Sequence, residues 1–130
     1  MAYSNRVMAR FMQPTFQGEL APQAQHRYLQ AQVGSLDQGA VLQLSVLVDE
    51  QTHCIDAARF KMYGCGACIA TADVLCEQLI GLNQQALGDY SAQGIAEYLA
   101  LPPVKLHCTW LAEEAIQQIL MAWQSASLTH

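Results

Sequence analysis

The chain of 130 residues has few charged side chains and no long apolar run. Only 13% of its residues are charged, against about 25% in an average soluble domain. Six Lys and Arg residues are scattered along the chain and are outnumbered by eleven Asp and Glu residues, which argues against a nucleic-acid-binding surface. No segment approaches the ~20 consecutive apolar residues that span a bilayer, which argues against a membrane protein.

The N-terminal region also lacks the apolar stretch of a secretory signal, so we expect a cytoplasmic protein. The five cysteines are an odd number, which does not suggest a framework of disulfide bonds. In a reducing compartment, clustered thiols more often serve metal or redox chemistry. Apolar residues make up 52% of the chain, enough for one core, and we find no repeat or linker. We therefore expect residues 1–130 to form a single domain.

Alternating apolar and polar residues predict three β-strands, over Tyr28–Gly34, Val41–Asp49 and Cys54–Tyr63. This period of two is typical of a sheet with one face towards solvent. The polar residues 49–52 predict a turn, so the last two strands should pair antiparallel.

Apolar residues at helical spacing predict helices before and after the strands. We expect Ser4 to cap the first helix and Gly81 to end the second. The predicted helical segments are Tyr3–Met12, a segment from Ile69 to Ile80, Asp89–Leu99, and a segment from Leu111 to Trp123. The order of elements predicts an α+β fold, in which helices pack on one face of a small three-stranded antiparallel sheet.

Two groups of potential metal ligands lie just before predicted helices. Cys65 is flanked by glycines and precedes Cys68 by three positions, where the start of a helix favours the thiolate. His107 and Cys108 are adjacent and precede the last helix. Thiolate and imidazole suit both zinc and iron–sulfur clusters.

The cysteines also have alternatives to metal binding, namely a place in the core or redox chemistry. Cys54 falls within a predicted strand and Cys76 on the apolar stripe of a helix, so we expect both in the core. The Cys65–Cys68 spacing also permits a thiol–disulfide enzyme. We rank that hypothesis last, because the strands form a meander and not a βαβ unit.

Two segments resemble the signatures of the IscU/NifU-type iron–sulfur cluster scaffold family. The sequence DAARFKMYGCG at 56–66 resembles the central signature, and LPPVKLHC at 101–108 resembles the second. The similarity extends from about Tyr3 to Trp123. It implies the same α+β fold and a role as a scaffold, not an enzyme. Such a scaffold receives sulfur from a cysteine desulfurase, combines it with iron, holds a [2Fe–2S] cluster and passes it to acceptor apo-proteins.

The resemblance also assigns roles to particular residues. Cys65, His107 and Cys108 fall on ligand positions of the family. A further segment falls on the site that a heat-shock chaperone recognises with the help of a J-type co-chaperone. That segment consists of Leu101, Pro102, Pro103, Val104 and Lys105.

The chain departs from the family at the turn before the second strand. The family has an A-C-G-D sequence there, whereas this chain has Gln38 at the cysteine and Ala40 at the aspartate. Two residues could complete the ligand set: Asp37, next to the lost cysteine, and Cys68, which the usual pattern does not contain.

The residues that complete the ligand set affect which metal is bound and whether clusters can be assembled. A set that includes Asp37 would suit zinc in the isolated protein as well as iron. The alternative to a working scaffold is a degenerate homologue that binds the desulfurase or the chaperone without assembling clusters.

Overall fold

The computed structural model describes residues 3–128, so the ends of the predicted domain, residues 1–2 and 129–130, lie outside it. Within this range the chain forms three strands and five α-helices, with a 3-10 turn over Pro103–Lys105. In chain order the elements are α1 (Asn5–Met12), β1 (His26–Ser35), β2 (Ala40–Asp49), β3 (Ile55–Tyr63), α2 (Gly66–Leu79), α3 (Gln84–Asp89), α4 (Gln93–Leu99) and α5 (His107–Leu128).

The three strands form one antiparallel sheet in the order β1-β2-β3. Val33 pairs with Leu42, and Leu44 pairs with Phe60, so apolar side chains of all three strands share one face. Helix α5 packs against β1 and helix α2 against β3. This arrangement confirms the predicted α+β fold. The buried residues of the inner face are Leu29, Ala31, Val33, Leu42, Leu44, Val46, Val48, Ala58 and Phe60.

Helix α2 lies at the centre of the helical layer, where it contacts α1, α4 and α5 as well as the sheet. Eleven of its 14 residues are buried, and one of them, Asp73, carries a charge. The Asp73 carboxylate accepts hydrogen bonds from the Arg10 guanidinium at 3.0 Å and from the backbone N–H of Phe16 at 2.8 Å. A buried charge is tolerated here because it is paired and hydrogen-bonded.

Several boundaries differ from those predicted. The residues 84–89 form a helix that the sequence did not predict. Asn83 caps this helix by accepting a hydrogen bond from the N–H of Ala86 at 2.8 Å. The helical segment predicted from residue 89 begins only at Gln93. Cys76 is fully buried, as predicted, but the prediction for Cys54 was wrong: it precedes β3 and is half-buried. No helix of residues 3–128 is long and apolar enough to cross a membrane.

The sheet brings several chain segments to one end. Ser35 pairs with Ala40, and Val41 pairs with Tyr63, so the β1–β2 turn lies at the same end of the sheet as the end of β3. Helix α2 starts three residues after Tyr63. We call this end the ligand end. His26 pairs with Asp49 at the opposite end.

Candidate metal centre

Cys65 and Cys68 occupy the first turn of α2. Cys65 is the N-cap residue, with extended backbone and no capping hydrogen bond from its side chain, so its sulfur is free for other partners. The backbone N–H of Cys68 donates to the carbonyl of Cys65 at 3.0 Å, and the two Sγ atoms are 3.7 Å apart. At Gly66, a Cβ would lie 3.1 Å from ring atoms of Phe11 and Tyr3, so a residue without a side chain fits this close packing.

His107 and Cys108 begin helix α5, and their side chains lie close to those of Cys65 and Cys68. Nε2 of His107 lies 3.7 Å from Sγ of Cys68 and 3.8 Å from Sγ of Cys108. Four side chains can each offer one ligand atom, and all four atoms lie within 4.8 Å of one another. These residues are Cys65, Cys68, His107 and Cys108.

The group sits at the edge of a small apolar cluster. Cys68 and Cys108 are each 2% exposed, whereas Cys65 and His107 are half-buried. The apolar surroundings come from Tyr3, Met62, Ala67 and Leu101. Two donors are therefore shielded from water, while the other two leave the group accessible from solvent.

The thiols of this group influence one another's protonation. A hydrogen bond from Cys108 lowers the pKa of Cys68 to about 6 against the opposing effect of burial, and a second hydrogen bond from Cys65 and the nearby charge of His107 act in the same direction. The hydrogen bond to Cys68 raises the pKa of Cys108, as does burial. Cys68 therefore loses its proton more readily than Cys108. A bound metal ion would take the place of such shared protons.

A cation stands beside the group on its solvent side. The nearby charge of Cys65 raises the pKa of Lys105, which is half-buried. Lys105 belongs to the 3-10 turn that leads into α5. In the segment predicted to bind a chaperone, Leu101, Pro102 and Lys105 are half-buried, Pro103 is exposed, and Val104 is 63% exposed.

Asp37 does not belong to the group of donors that the structure brings together. It is exposed in the β1–β2 turn, which is closed by hydrogen bonds from the N–H of Gln38 to the carbonyl of Ser35 and from the N–H of Gly39 to the carbonyl of Leu36. These contacts leave the Asp37 side chain in solvent. Cys68, the other residue suggested by the sequence, lies inside the group.

The two positions at which the chain departs from the family face a cavity. Gln38 and Ala40 line a cavity of about 290 Å³ together with His107, Trp110 and Glu114. The sequence analysis did not single out Trp110, although it follows His107 by one helical turn and its side chain is 66% exposed. Between His107 and the β1–β2 turn there is therefore a cavity, and the turn places no metal-binding side chain next to His107.

A second group of potential ligands lies at the opposite end of the sheet. Nε2 of His26 lies 2.8 Å from the Asp56 carboxylate, and Nδ1 lies 3.0 Å from the carbonyl of Ala24. Asp49, the third member, accepts from the N–H of Gln51 at 2.7 Å. Because both ring nitrogens of His26 have hydrogen-bond partners, this group is best described as an ion pair.

The fold and the converging donors define a class of protein: a small α+β domain with three cysteines and a histidine, all potential metal ligands, gathered at one end. Comparison with known proteins gives the family. The profile of the NifU-like N terminal domain matches residues 2–129. The chain belongs to this family, as its resemblance to the IscU/NifU type predicted.

Two bacterial relatives are both described as the iron–sulfur cluster assembly scaffold protein IscU. The chain is 36% identical over 125 residues to the iron–sulfur cluster assembly scaffold protein IscU of Haemophilus influenzae, covering 96% of this chain and 98% of that protein. It is 39% identical over 117 residues to the IscU scaffold protein of Azotobacter vinelandii, covering 90% of each chain.

A solved structure supports the fold independently. The chain resembles a crystal structure from Fervidobacterium islandicum that carries the name of an iron–sulfur cluster assembly scaffold protein for the SUF system. The TM-score is 0.65 at 20% sequence identity, over 91% of this chain and 96% of the other. At this level of identity the similarity concerns the fold alone.

Proposed function

We propose that this protein is a scaffold for iron–sulfur cluster assembly. The observation that carries the proposal is the convergence of Cys65, His107 and Cys108 at the ligand end of a chain from this family. The function predicted from the sequence agrees with the descriptions of the IscU relatives. The cargo is iron and sulfide, held as a [2Fe–2S] cluster and then passed to acceptor apo-proteins.

The exposure of the donors suits a site that must release what it holds. Cys65 is half-buried and makes no capping hydrogen bond, so its sulfur can be reached from outside by a sulfur donor. Mixed thiolate and imidazole ligands and access of solvent tune a cluster site towards lability. The role we propose is therefore binding and transfer, without turnover of a substrate by the protein itself.

The surface around the site supports binding of protein partners. Leu36, Tyr63, Val104 and Trp110 lie within three residues of site or turn positions and are between 62% and 70% exposed. Exposed apolar side chains near one another mark interaction surfaces. We propose a cysteine desulfurase as the partner that supplies sulfur, and a heat-shock chaperone with its J-type co-chaperone as the partner of residues 101–105.

The donor set also fits a zinc ion. Zinc takes thiolate and imidazole ligands in tetrahedral sites, and this group offers both kinds of donor. We propose that zinc can occupy the site in the isolated protein and that iron enters it during assembly.

The test is anaerobic reconstitution with ferrous iron, cysteine, a catalytic amount of cysteine desulfurase, and dithiothreitol as the reductant that converts persulfide sulfur to sulfide. The wild-type protein should develop the visible absorption of a [2Fe–2S] cluster, and Cys65→Ala should abolish it. Cys54→Ser is the matched control, since this half-buried thiol lies outside the donor group and its loss should leave the cluster intact. A wild-type protein that binds the desulfurase but develops no cluster would contradict the proposal and favour a binding-only homologue.

A further inference from the structure

The β1–β2 turn of this chain contributes no metal-binding side chain to the group at the ligand end. Position 38 is Gln, position 40 is Ala, and Asp37 points into solvent. Yet three thiols and an imidazole still converge there, because α2 supplies a second cysteine in its first turn.

We propose that Cys68 is a ligand of this site and takes over the role of the thiolate that position 38 lacks. The inference rests on the proposed function for the nature of the cargo, but it concerns the ligand set itself and applies to any thiolate-seeking divalent ion. The ligands then come from the starts of two helices, a CxxC pair on α2 and a His-Cys pair on α5.

Three of the six distances between the donors are close to the edges of a tetrahedron around one ion, and all six are within 4.8 Å. Two sulfurs that each lie 2.3 Å from a tetrahedral ion are about 3.8 Å apart, and a sulfur and an imidazole nitrogen are about 3.6 Å apart. The Sγ atoms of Cys65 and Cys68 are separated by 3.7 Å. Nε2 of His107 lies 3.7 Å from Sγ of Cys68 and 3.8 Å from Sγ of Cys108.

A purely structural role would place Cys68 in the main core, as is the case for Cys76. Cys76 is fully buried among the apolar residues between helices and sheet, and among the described residues it belongs to no group of three or more potential metal ligands. Cys68 is not part of that core; it belongs to a separate small cluster with Cys108 and Cys65. Its sulfur lies 3.7 Å from both Sγ of Cys65 and Nε2 of His107, contacts that a packing residue does not need.

The position of the β1–β2 turn explains how a ligand can come from α2 when the turn supplies none. Gln38 and His107 line the same cavity, and none of its lining residues belongs to α2, so a thiol at position 38 would approach His107 through that cavity. Cys68 approaches from α2 and needs no contribution from the turn. A cysteine at either position can therefore complete a set that includes His107.

The test is an anaerobic titration of the metal-free protein with Co²⁺, read by the thiolate-to-cobalt charge-transfer band and the ligand-field bands of tetrahedral Co²⁺. We expect one Co²⁺ per wild-type chain. Cys68→Ser, which keeps the size of the side chain, should lower the affinity at least tenfold and remove about a third of the charge-transfer intensity, because one of three thiolates is lost. Cys54→Ser should match the wild type.

Circular dichroism and thermal unfolding of the metal-free variants establish that each one folds. A folded Cys68→Ser variant with unchanged affinity and charge-transfer intensity would overturn the assignment. In the double variant Gln38→Cys, Cys68→Ser, we expect the charge-transfer intensity and affinity to return towards the wild-type values. A double variant that binds no better than Cys68→Ser would overturn the claim that Cys68 takes over from position 38.

Cluster reconstitution separates this inference from the proposed function. If Cys68→Ser assembles a cluster as well as the wild type and binds Co²⁺ normally, the scaffold function stands and Cys68 is not a ligand. If Cys68→Ser weakens Co²⁺ binding but the wild type assembles no cluster, the ligand assignment stands and the scaffold function fails.

Discussion

Sγ of Cys68 lies 3.7 Å from Nε2 of His107, although the two residues are 39 positions apart in the chain. The contact joins the first turn of α2 to the first residue of α5. An ion held between these side chains would connect two helices that pack on different strands, α2 on β3 and α5 on β1. Metal binding should therefore stabilise the whole domain.

We predict that zinc raises the free energy of unfolding by about 2.7 kcal/mol at a free concentration of 100 times its Kd, because the ion binds the folded chain preferentially. Urea unfolding with and without zinc measures the effect. Cys65→Ala should lose most of the increase, whereas Cys54→Ser should keep it. An equal increase in Cys65→Ala and in the wild type would show that zinc stabilises the chain from another site.

A second prediction concerns the buried carboxylate of α2. Arg10 is the only side chain from α1 that donates to Asp73, and Asp73 is fully buried. Arg10→Met should lower the free energy of unfolding by about 3 kcal/mol or more, since it leaves a buried charge without its partner. The double variant Arg10→Met, Asp73→Asn should recover much of this loss. Urea unfolding of the metal-free protein tests both, and a loss under about 1 kcal/mol in Arg10→Met would mean that the pair behaves like a surface ion pair.

The ion pair at the end of the sheet opposite the ligand end should make stability depend on pH. Hydrogen bonds to the carbonyl of Ala24 and to the Asp56 carboxylate raise the pKa of His26, and the charge of Asp49 acts in the same direction. The folded chain therefore holds this proton more tightly than the unfolded chain. The contribution of protonated His26 to the free energy of unfolding is fully present below the pKa of His26 in the unfolded chain. It is lost as the pH rises through the pKa of His26 in the folded chain.

The measurement is urea unfolding of the wild type and of His26→Gln between about pH 5 and pH 8. The difference in free energy of unfolding between the two proteins should be largest at the acidic end and should shrink towards the alkaline end. Asp56→Asn should reduce the same pH dependence, because it removes the carboxylate charge that favours the protonated His26. A difference that stays constant with pH would contradict the prediction.

Two glycines near the β1–β2 turn allow a matched test of backbone packing. Gly34 and Gly39 both have positive φ, of 85° and 83°. A Cβ at Gly34 would lie 2.2 Å from the carbonyl oxygen of Ala40, whereas a Cβ at Gly39 would have nothing within 4 Å. Gly39→Ala should cost about 1–2 kcal/mol of stability from its backbone conformation, and Gly34→Ala a further 1–3 kcal/mol, roughly, from the clash. Equal losses in urea unfolding would show that the backbone relaxes at Gly34.

Much of the fold could be predicted because its signals are local. Alternation of apolar residues gave the three strands to within two residues at each end, and Ser4 caps α1 as expected by accepting from the N–H of Val7. The helix α3 escaped prediction because six residues hold too little periodicity, so that its cap at Asn83 is its main signal. The half-burial of Cys54 depends on where β3 begins, and strand ends are set by pairing with neighbours.

The candidate site could be predicted only in part. Cys65, His107 and Cys108 follow from two specific sequence signatures. The choice between Asp37 and Cys68 could not be made from the sequence, because it depends on side-chain direction. In the structure, the closed β1–β2 turn leaves Asp37 in solvent, while the first turn of α2 directs Cys68 towards His107. Hydrogen bonds within the turn fix the first placement and the contact between α2 and α5 fixes the second, and residue types and spacing alone predict neither.

The donor group draws its side chains from two helix starts and none from the β1–β2 turn. Under the ligand assignment proposed above, the loop 36–39 can change its sequence or length while the donor atoms keep their positions. The surface of the loop can then evolve separately from metal affinity, whereas a chain that draws a ligand from the loop must preserve both with the same few residues.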